Sequence, residues 1–253
     1  FNIFNGPAIN AARGLATQVQ TAVTKFSNNF YVAVQPQITK SYASNNVNES
    51  HDLVLRSSRL AFFLLTAMIV PLVTETEFVL RLWLKEVPEH TVAFTQIILM
   101  CTLVDSFSSP LVYLMLATGN IKRYQIVVGL FNLFNFPVAY LILYFGGCPE
   151  LAQFSVIIFS IGALLLRVSM LRSMTRFPVR DFMFRTVVRC LFIMTICISV
   201  SIFITKSFRT GIMRFMLNLC ITEGLIGTLV YCIGLNTGEK KFIIEKAKTF
   251  LRR

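Results

Sequence analysis

The chain has 253 residues, 55% of them hydrophobic and only 14% charged, with a net charge of +12 and a mean hydropathy of +0.67. Soluble domains carry charge on about a quarter of their residues, so a water-soluble globular fold is excluded. A basic balance of this size in a soluble protein would point to nucleic acid, but no basic stripe lies on a soluble segment here, and no nucleic-acid partner is expected.

Long apolar runs predict an all-α polytopic transmembrane bundle of about seven helices. The first runs from Pro7 to Ile38, the second from Leu53 to Val73 and the third from Thr91 to Ala117, interrupted only by Asp105. The fourth spans Tyr124 to Phe145, inside a stretch without any charge. The fifth covers Leu151 to Met170, the sixth Phe182 to Thr205 and the seventh Arg214 to Leu235, which contains Glu223. Trp83, in "LRLWLKEVPEH", reads as an interfacial anchor in the loop after the second helix. The tail "EKKFIIEKAKTFLRR" sets Phe242, Ile243, Ala247, Phe250 and Leu251 at helical spacing with lysines opposite, as in an amphipathic helix lying on a membrane surface.

Charges between these helices assign sides. Lys122 and Arg123 follow the third helix, Arg167, Arg172, Arg176, Arg180, Arg185 and Arg189 cluster between the fifth and sixth, and the tail is basic. The loop after the second helix is acidic, with Glu75, Glu77, Glu86 and Glu89, and the loop after the fourth holds Glu150 alone. Basic loops face the cytoplasm, so the C-terminus is expected there, close to anionic membrane lipids. Lys206, Arg209 and Arg214 then fall on the outer side, against the rule.

The six cysteines form no CxxC pair, and the histidines are His51 and His90 alone. The cysteines therefore read as small hydrophobes, and neither metal site nor disulfide is expected. No Walker loop, GxSxG, HExxH or GxGxxG occurs, so no catalytic residues, enzyme activity or cofactor are expected. No signal peptide is visible, and the opening "FNIFNGPAIN" starts in mid-phrase, which suggests that a longer protein continues upstream.

The first helix is the singular element. On a wheel of 100° per residue, Leu15, Val19, Ala22, Val23, Phe26, Phe30, Ala33 and Val34 share one face. Arg13, Thr17, Gln20, Thr21, Thr24, Lys25, Ser27, Asn28 and Asn29 spread over a polar face about 200° wide, with Val32 the apolar exception. Polar groups cannot face hydrocarbon without a cost of several kcal/mol each, so this face must meet a water-filled cavity or polar partners. Arg13 and Lys25 stand roughly 18 Å apart along the axis at 1.5 Å per residue. A cationic cavity that accepts an anionic substrate at more than one depth fits them, with Thr17, Gln20, Thr24 and Asn28 lining it. Snorkelling, or pairing with acids elsewhere, is the alternative. Asp105 reads as an ion-coupling site, a counter-ion for Arg13, or a carboxylate satisfied locally by Ser108 and Ser109. Glu223, beside Gly224 and Gly227, reads as an interhelical pair.

The segments "GPAINAARGLATQV", "NNFYVAVQPQITKSYAS", "LRLWLKEVPEHT", "LMLATGNIKRYQ" and "LFNLFNFPVAYLIL", in that order, resemble the C-terminal half of bacterial Wzx-type polysaccharide (O-antigen) flippases. These belong to the multidrug/oligosaccharidyl-lipid/polysaccharide exporter superfamily. The resemblance implies one lobe of a two-lobed inner-membrane transporter with alternating access, over residues 1–175. Two peripheral membrane helices at 176–236 and a basic tail at 237–253 complete it. It further implies a lipid-linked oligosaccharide substrate, carried on undecaprenyl pyrophosphate, with the polysaccharide polymerase machinery as a partner. Cavity arginines and lysines contact the substrate in that family, and Arg13 and Lys25 occupy the corresponding helix. A cation-coupled drug or metabolite antiporter of the same superfamily should instead show cavity acids. A non-transporting scaffold of a polysaccharide assembly complex would need no polar helix face.

Overall fold

A computed structural model describes residues 2–235 and 238–240. Every regular element among them is helical: α1 (Asn2–Ala43), α2 (Val47–Thr74), α3 (Thr76–Trp83), α4 (Thr91–Ala117), α5 (Ile121–Leu133), α6 (Asn135–Tyr144), α7 (Pro149–Thr175), a short α8 (Val179–Asp181), α9 (Arg189–Ser207) and α10 (Ile212–Leu229). A π-helical stretch, Phe182–Val188, joins α8 to α9. Six helical spans are long and apolar enough to cross a membrane, and α1, of sufficient length, is too polar to be counted with them. The chain is an all-α polytopic membrane bundle, as the apolar runs imply. The amphipathic tail expected beyond Lys240 lies outside the described residues.

Two features depart from the sequence reading. The acidic loop after the second helix holds a further helix, α3, too short and too charged to register as an apolar run. It buries Thr76 and Leu80 and leaves Leu82 and Trp83 exposed, the arrangement of an anchor at a membrane surface. The fourth predicted helix is one span, Ile121–Tyr144, with a single interruption. Pro137 has no N–H to give the Leu133 carbonyl, and α5 ends at that residue, with α6 restarting at Asn135.

α4 is the central helix, packed against α1, α2 and α7. α5 and α6 lie on the outer side of α7, where Gly162 leaves room for the Phe131 ring; a Cβ there would stand 2.5 Å from it. α9 and α10 pack against each other and against α2. α1 is kinked at Gly6, whose φ of 75° suits glycine, and Pro7 opens the straight part.

Lipid is as apolar as leucine, so packing and interhelical hydrogen bonds hold such a bundle more than hydrophobic transfer does. Pro110 in α4 cannot donate to the Ser106 carbonyl, and the hydroxyl of Tyr31 on α1 donates there instead, at 3.0 Å. Gln20 on α1 donates to the hydroxyl of Thr102 on α4 at 3.1 Å. His51 of α2 meets Thr175 of α7 at 3.1 Å. α10 is tied to α2 twice over. Asn218, Thr74 and Ser201 share a buried triangle of hydrogen bonds, and Arg214 pairs with Glu75 at 2.5 Å. Beyond the other end of α10, Glu239 pairs with Arg59 of α2 at 2.6 Å. Arg214 is one of the three cations that broke the charge-sidedness rule. Its partner is an acid of the same end, so it is neutralised in place.

Candidate functional site

The exposed side of α1 carries Arg13, Thr17, Thr21, Lys25, Asn28 and Asn29, and no acid lies between Pro7 and Ala43. The face buried against the bundle is rotated from the one that hydropathy suggests. Ala12, Ala16, Val23, Ser27, Tyr31 and Ile38 are buried, whereas Phe26, assigned to the apolar face, is 60% exposed. The reason is the polar stitching to α4: Gln20 and Tyr31 both bond that helix, and the seam turns toward them.

The predicted residues accordingly divide. Arg13, Thr17, Lys25 and Asn28 lie on the open face. Thr17 donates to the carbonyl of Arg13 at 2.9 Å, which spends its hydrogen on its own helix. Thr24 is half-buried and donates likewise to the carbonyl of Gln20 at 3.0 Å. Gln20 is half-buried, and its amide nitrogen is committed to Thr102. These three support the helix and its packing, and Arg13 and Lys25 are the charged groups of the open face.

Beside Arg13 the bundle forms a cleft that no reading of α1 alone could locate. One cavity of about 330 Å³ is lined by Arg13, by Asn132, Asn135 and Tyr140 of α5 and α6, and by Gln153 of α7. A second, of about 500 Å³, shares Asn132 and Asn135 with it and continues along α4 and α7 past Asp105, Ser108 and Ser160 to Arg167. Both volumes fall in the range of small-molecule sites, about 300–1,000 Å³. The wall is therefore α4, the α5–α6 break and α7, with α1 at its edge; α2 contributes nothing to it.

Asp105 is held in this cleft by the hydroxyl of Ser160 and by the thiol of Cys101. Of the three readings of Asp105, the one that relied on Ser108 and Ser109 changes its partner: Ser160 of α7 donates to the carboxylate, and Ser108 accepts from Arg167 Nη1 at 3.0 Å. Asn135 accepts from Ser155 at 2.7 Å, which leaves its amino group to donate. Gln153 is 2% exposed, and its Oε1 has no partner among the described residues. Among those residues no three of His, Cys, Asp and Glu converge to hold a metal.

Three of these residues were within reach of the sequence. Asn132 and Asn135 interrupt an otherwise uncharged apolar run one turn apart, and two amides facing lipid there would be costly. Arg167 falls inside the fifth predicted helix, Leu151 to Met170, although its charge groups it with the loop arginines for sidedness; α7 carries it as a helical residue that lines the cavity. Nothing in the sequence marks Gln153 or Ser160, whose role depends on which helix lies opposite.

Searches against protein-family models, curated proteins and solved structures find no match to this chain. The site has to be interpreted from its own chemistry.

Proposed function

We propose that this chain forms a transporting lobe of a membrane flippase for anionic, lipid-linked oligosaccharides, in the manner of the polysaccharide exporters that its segments resemble. The observation that carries the reading is the open face of α1: Arg13 and Lys25 stand there among hydroxyls and amides, with no acid on the helix. A phosphate or pyrophosphate entering a membrane cavity sheds water, and fixed cations with hydrogen-bond donors replace that solvation. Lys25→Ala should weaken the contact by about 1.5–3 kcal/mol, roughly ten- to a hundred-fold in binding. Lys25→Arg should retain most of it, because the charge survives. The assay is surface polysaccharide per unit of membrane-inserted protein in cells that depend on this transporter. Equal export by Lys25→Ala would defeat the role given to Lys25.

The resemblance implies the inner membrane of a bacterium and the polymerase machinery as a partner, and the charged loops support a cytoplasmic side for the α7–α8 arginines and the C-terminus, beside anionic lipids. Ser173 and Cys148 are both exposed and lie at opposite ends of α7. With the other cysteines replaced, a membrane-impermeant thiol reagent added outside should label Cys148. It should leave a cysteine introduced by Ser173→Cys unlabelled. The opposite pattern inverts the topology.

Asp105 favours a second reading, the cation-coupled antiporter of the same superfamily. Arg167 lines the same cavity and opposes a bare cation there, which counts against that reading.

A further inference from the structure

The larger cavity carries groups of both signs. Asp105 lines its middle and Arg167 one end. A bare cation drawn to the carboxylate meets a guanidinium in the same cavity, and a bare anion drawn to Arg167 meets the carboxylate. Either ion shares the cavity with an unfavourable group as well as a favourable one, and a like charge in the same site disfavours occupancy.

Neutral polyhydroxy ligands escape this conflict. Each sugar hydroxyl both donates and accepts, and the lining offers an acceptor-only carboxylate, a donor-only guanidinium and amides that do both. Asn132 and the amino group of Asn135 stand where the two cavities meet. Gln153 supplies the second, independent sign of a ligand. Its buried Oε1 lacks a partner among the described residues, an unfavourable state that a hydroxyl donor would relieve. Tyr113 and Phe159 line the larger cavity and add ring faces suited to the apolar C–H side of a pyranose.

We infer that the cleft between α4, α5–α6 and α7 is a saccharide subsite within the lobe, binding neutral sugar rings while Arg13 and Lys25 hold the anionic linkage. The inference rests on the transport reading above and divides the substrate between two places. Its consequence is that glycan selectivity resides in Asp105, Asn132, Asn135 and Gln153, and that the α1 cations are indifferent to which sugar is carried.

The test uses the purified protein in lipid nanodiscs. Saturation-transfer NMR with glucose, N-acetylglucosamine and its β1,4-linked disaccharide probes the cleft, glycine serves as the zwitterionic control, and line broadening of inorganic pyrophosphate probes the cations. At least one sugar should receive saturation. That signal should fall about five-fold or more in Asn132→Ala and in Asp105→Asn, each loss equivalent to one or two hydrogen bonds. Gln153→Leu keeps a buried side chain of similar size and should lose the same signal. Thr228→Ala, an exposed position on α10 whose hydroxyl bonds only its own helix, should leave it unchanged. The inference is overturned if no sugar receives saturation, if the signal survives both Asn132→Ala and Asp105→Asn, or if glycine binds and sugars do not. Sugar binding without pyrophosphate broadening would defeat the anionic-cavity reading and leave the cleft standing; the reverse would defeat the cleft alone.

Discussion

Glu75→Ala should lower the melting temperature of the purified protein far more than truncation of an exposed ion pair. Glu75 is 1% exposed and Arg214 13%, and the arginine also donates to the carbonyls of Thr205 and Phe208. Removing the carboxylate leaves a guanidinium buried without its counter-charge, a change typically worth about 3–5 kcal/mol. The exposed pair Glu77–Arg81 serves as an internal comparison. Its geometry is as close, at 2.6 Å, but its side chains are 63% and 71% exposed. Solvent screening limits such a pair to about 0–1 kcal/mol, so Glu77→Ala should barely move the melt. Replacing both buried partners, Glu75→Leu with Arg214→Leu, should recover most of the loss, because a buried pair and a well-packed apolar pair of similar volume are often near equal. A Glu75→Ala protein that melts with the parent would mean that α10 is held on α2 by the Asn218, Thr74 and Ser201 triangle alone.

That pair also shows why part of the fold was legible in the sequence and part was not. The apolar runs located every long helix; the third coincides with α4 at Thr91 and Ala117. α1 covers the first of those spans, although Arg13, Gln20 and Lys25 make it too polar to count as a membrane span by hydropathy. What hydropathy could not give was rotation. Phe26 belongs to the apolar side of the wheel but ends up exposed, because Gln20 and Tyr31 carry the seam against α4. In a bilayer an apolar side chain has little to gain by choosing protein over lipid, whereas a hydrogen-bonding one has much to lose by choosing lipid. Polar residues therefore report the helix contacts in this chain, and apolar ones report only its length. The partner of each polar residue stays hidden for the same reason: Glu75 and Arg214 are 139 positions apart, and Ser160 reaches Asp105 across 55. The cleft lies between elements that the sequence identifies singly and cannot pair.

Arg13→Glu should abolish polysaccharide export, a larger effect than Arg13→Ala. Arg13 is exposed on α1 and lines the cleft that runs on to Asn132 and Gln153, so it stands where the anionic and neutral parts of a lipid-linked saccharide would meet. Alanine removes one charge-assisted contact, about 1.5–3 kcal/mol, and roughly ten- to a hundred-fold in binding. Glutamate removes the same contact and adds repulsion against a pyrophosphate group. At an effective dielectric near 20, like unit charges about 4 Å apart repel by about 4 kcal/mol, more than the contact that was lost. The exposed position makes the substitution a mild one for the fold, so membrane insertion and the melting temperature should stay close to those of the parent. The measurement is surface polysaccharide normalised to membrane protein, read beside pyrophosphate broadening in nanodiscs. Added salt separates the two terms, because repulsion at an open face weakens with ionic strength while a missing hydrogen bond does not. Pyrophosphate binding by Arg13→Glu should approach that of Arg13→Ala as salt rises, without reaching the parent. Normal export by Arg13→Glu at normal protein level would remove the cationic face of α1 from the transport mechanism and leave Arg13 as a residue of helix packing.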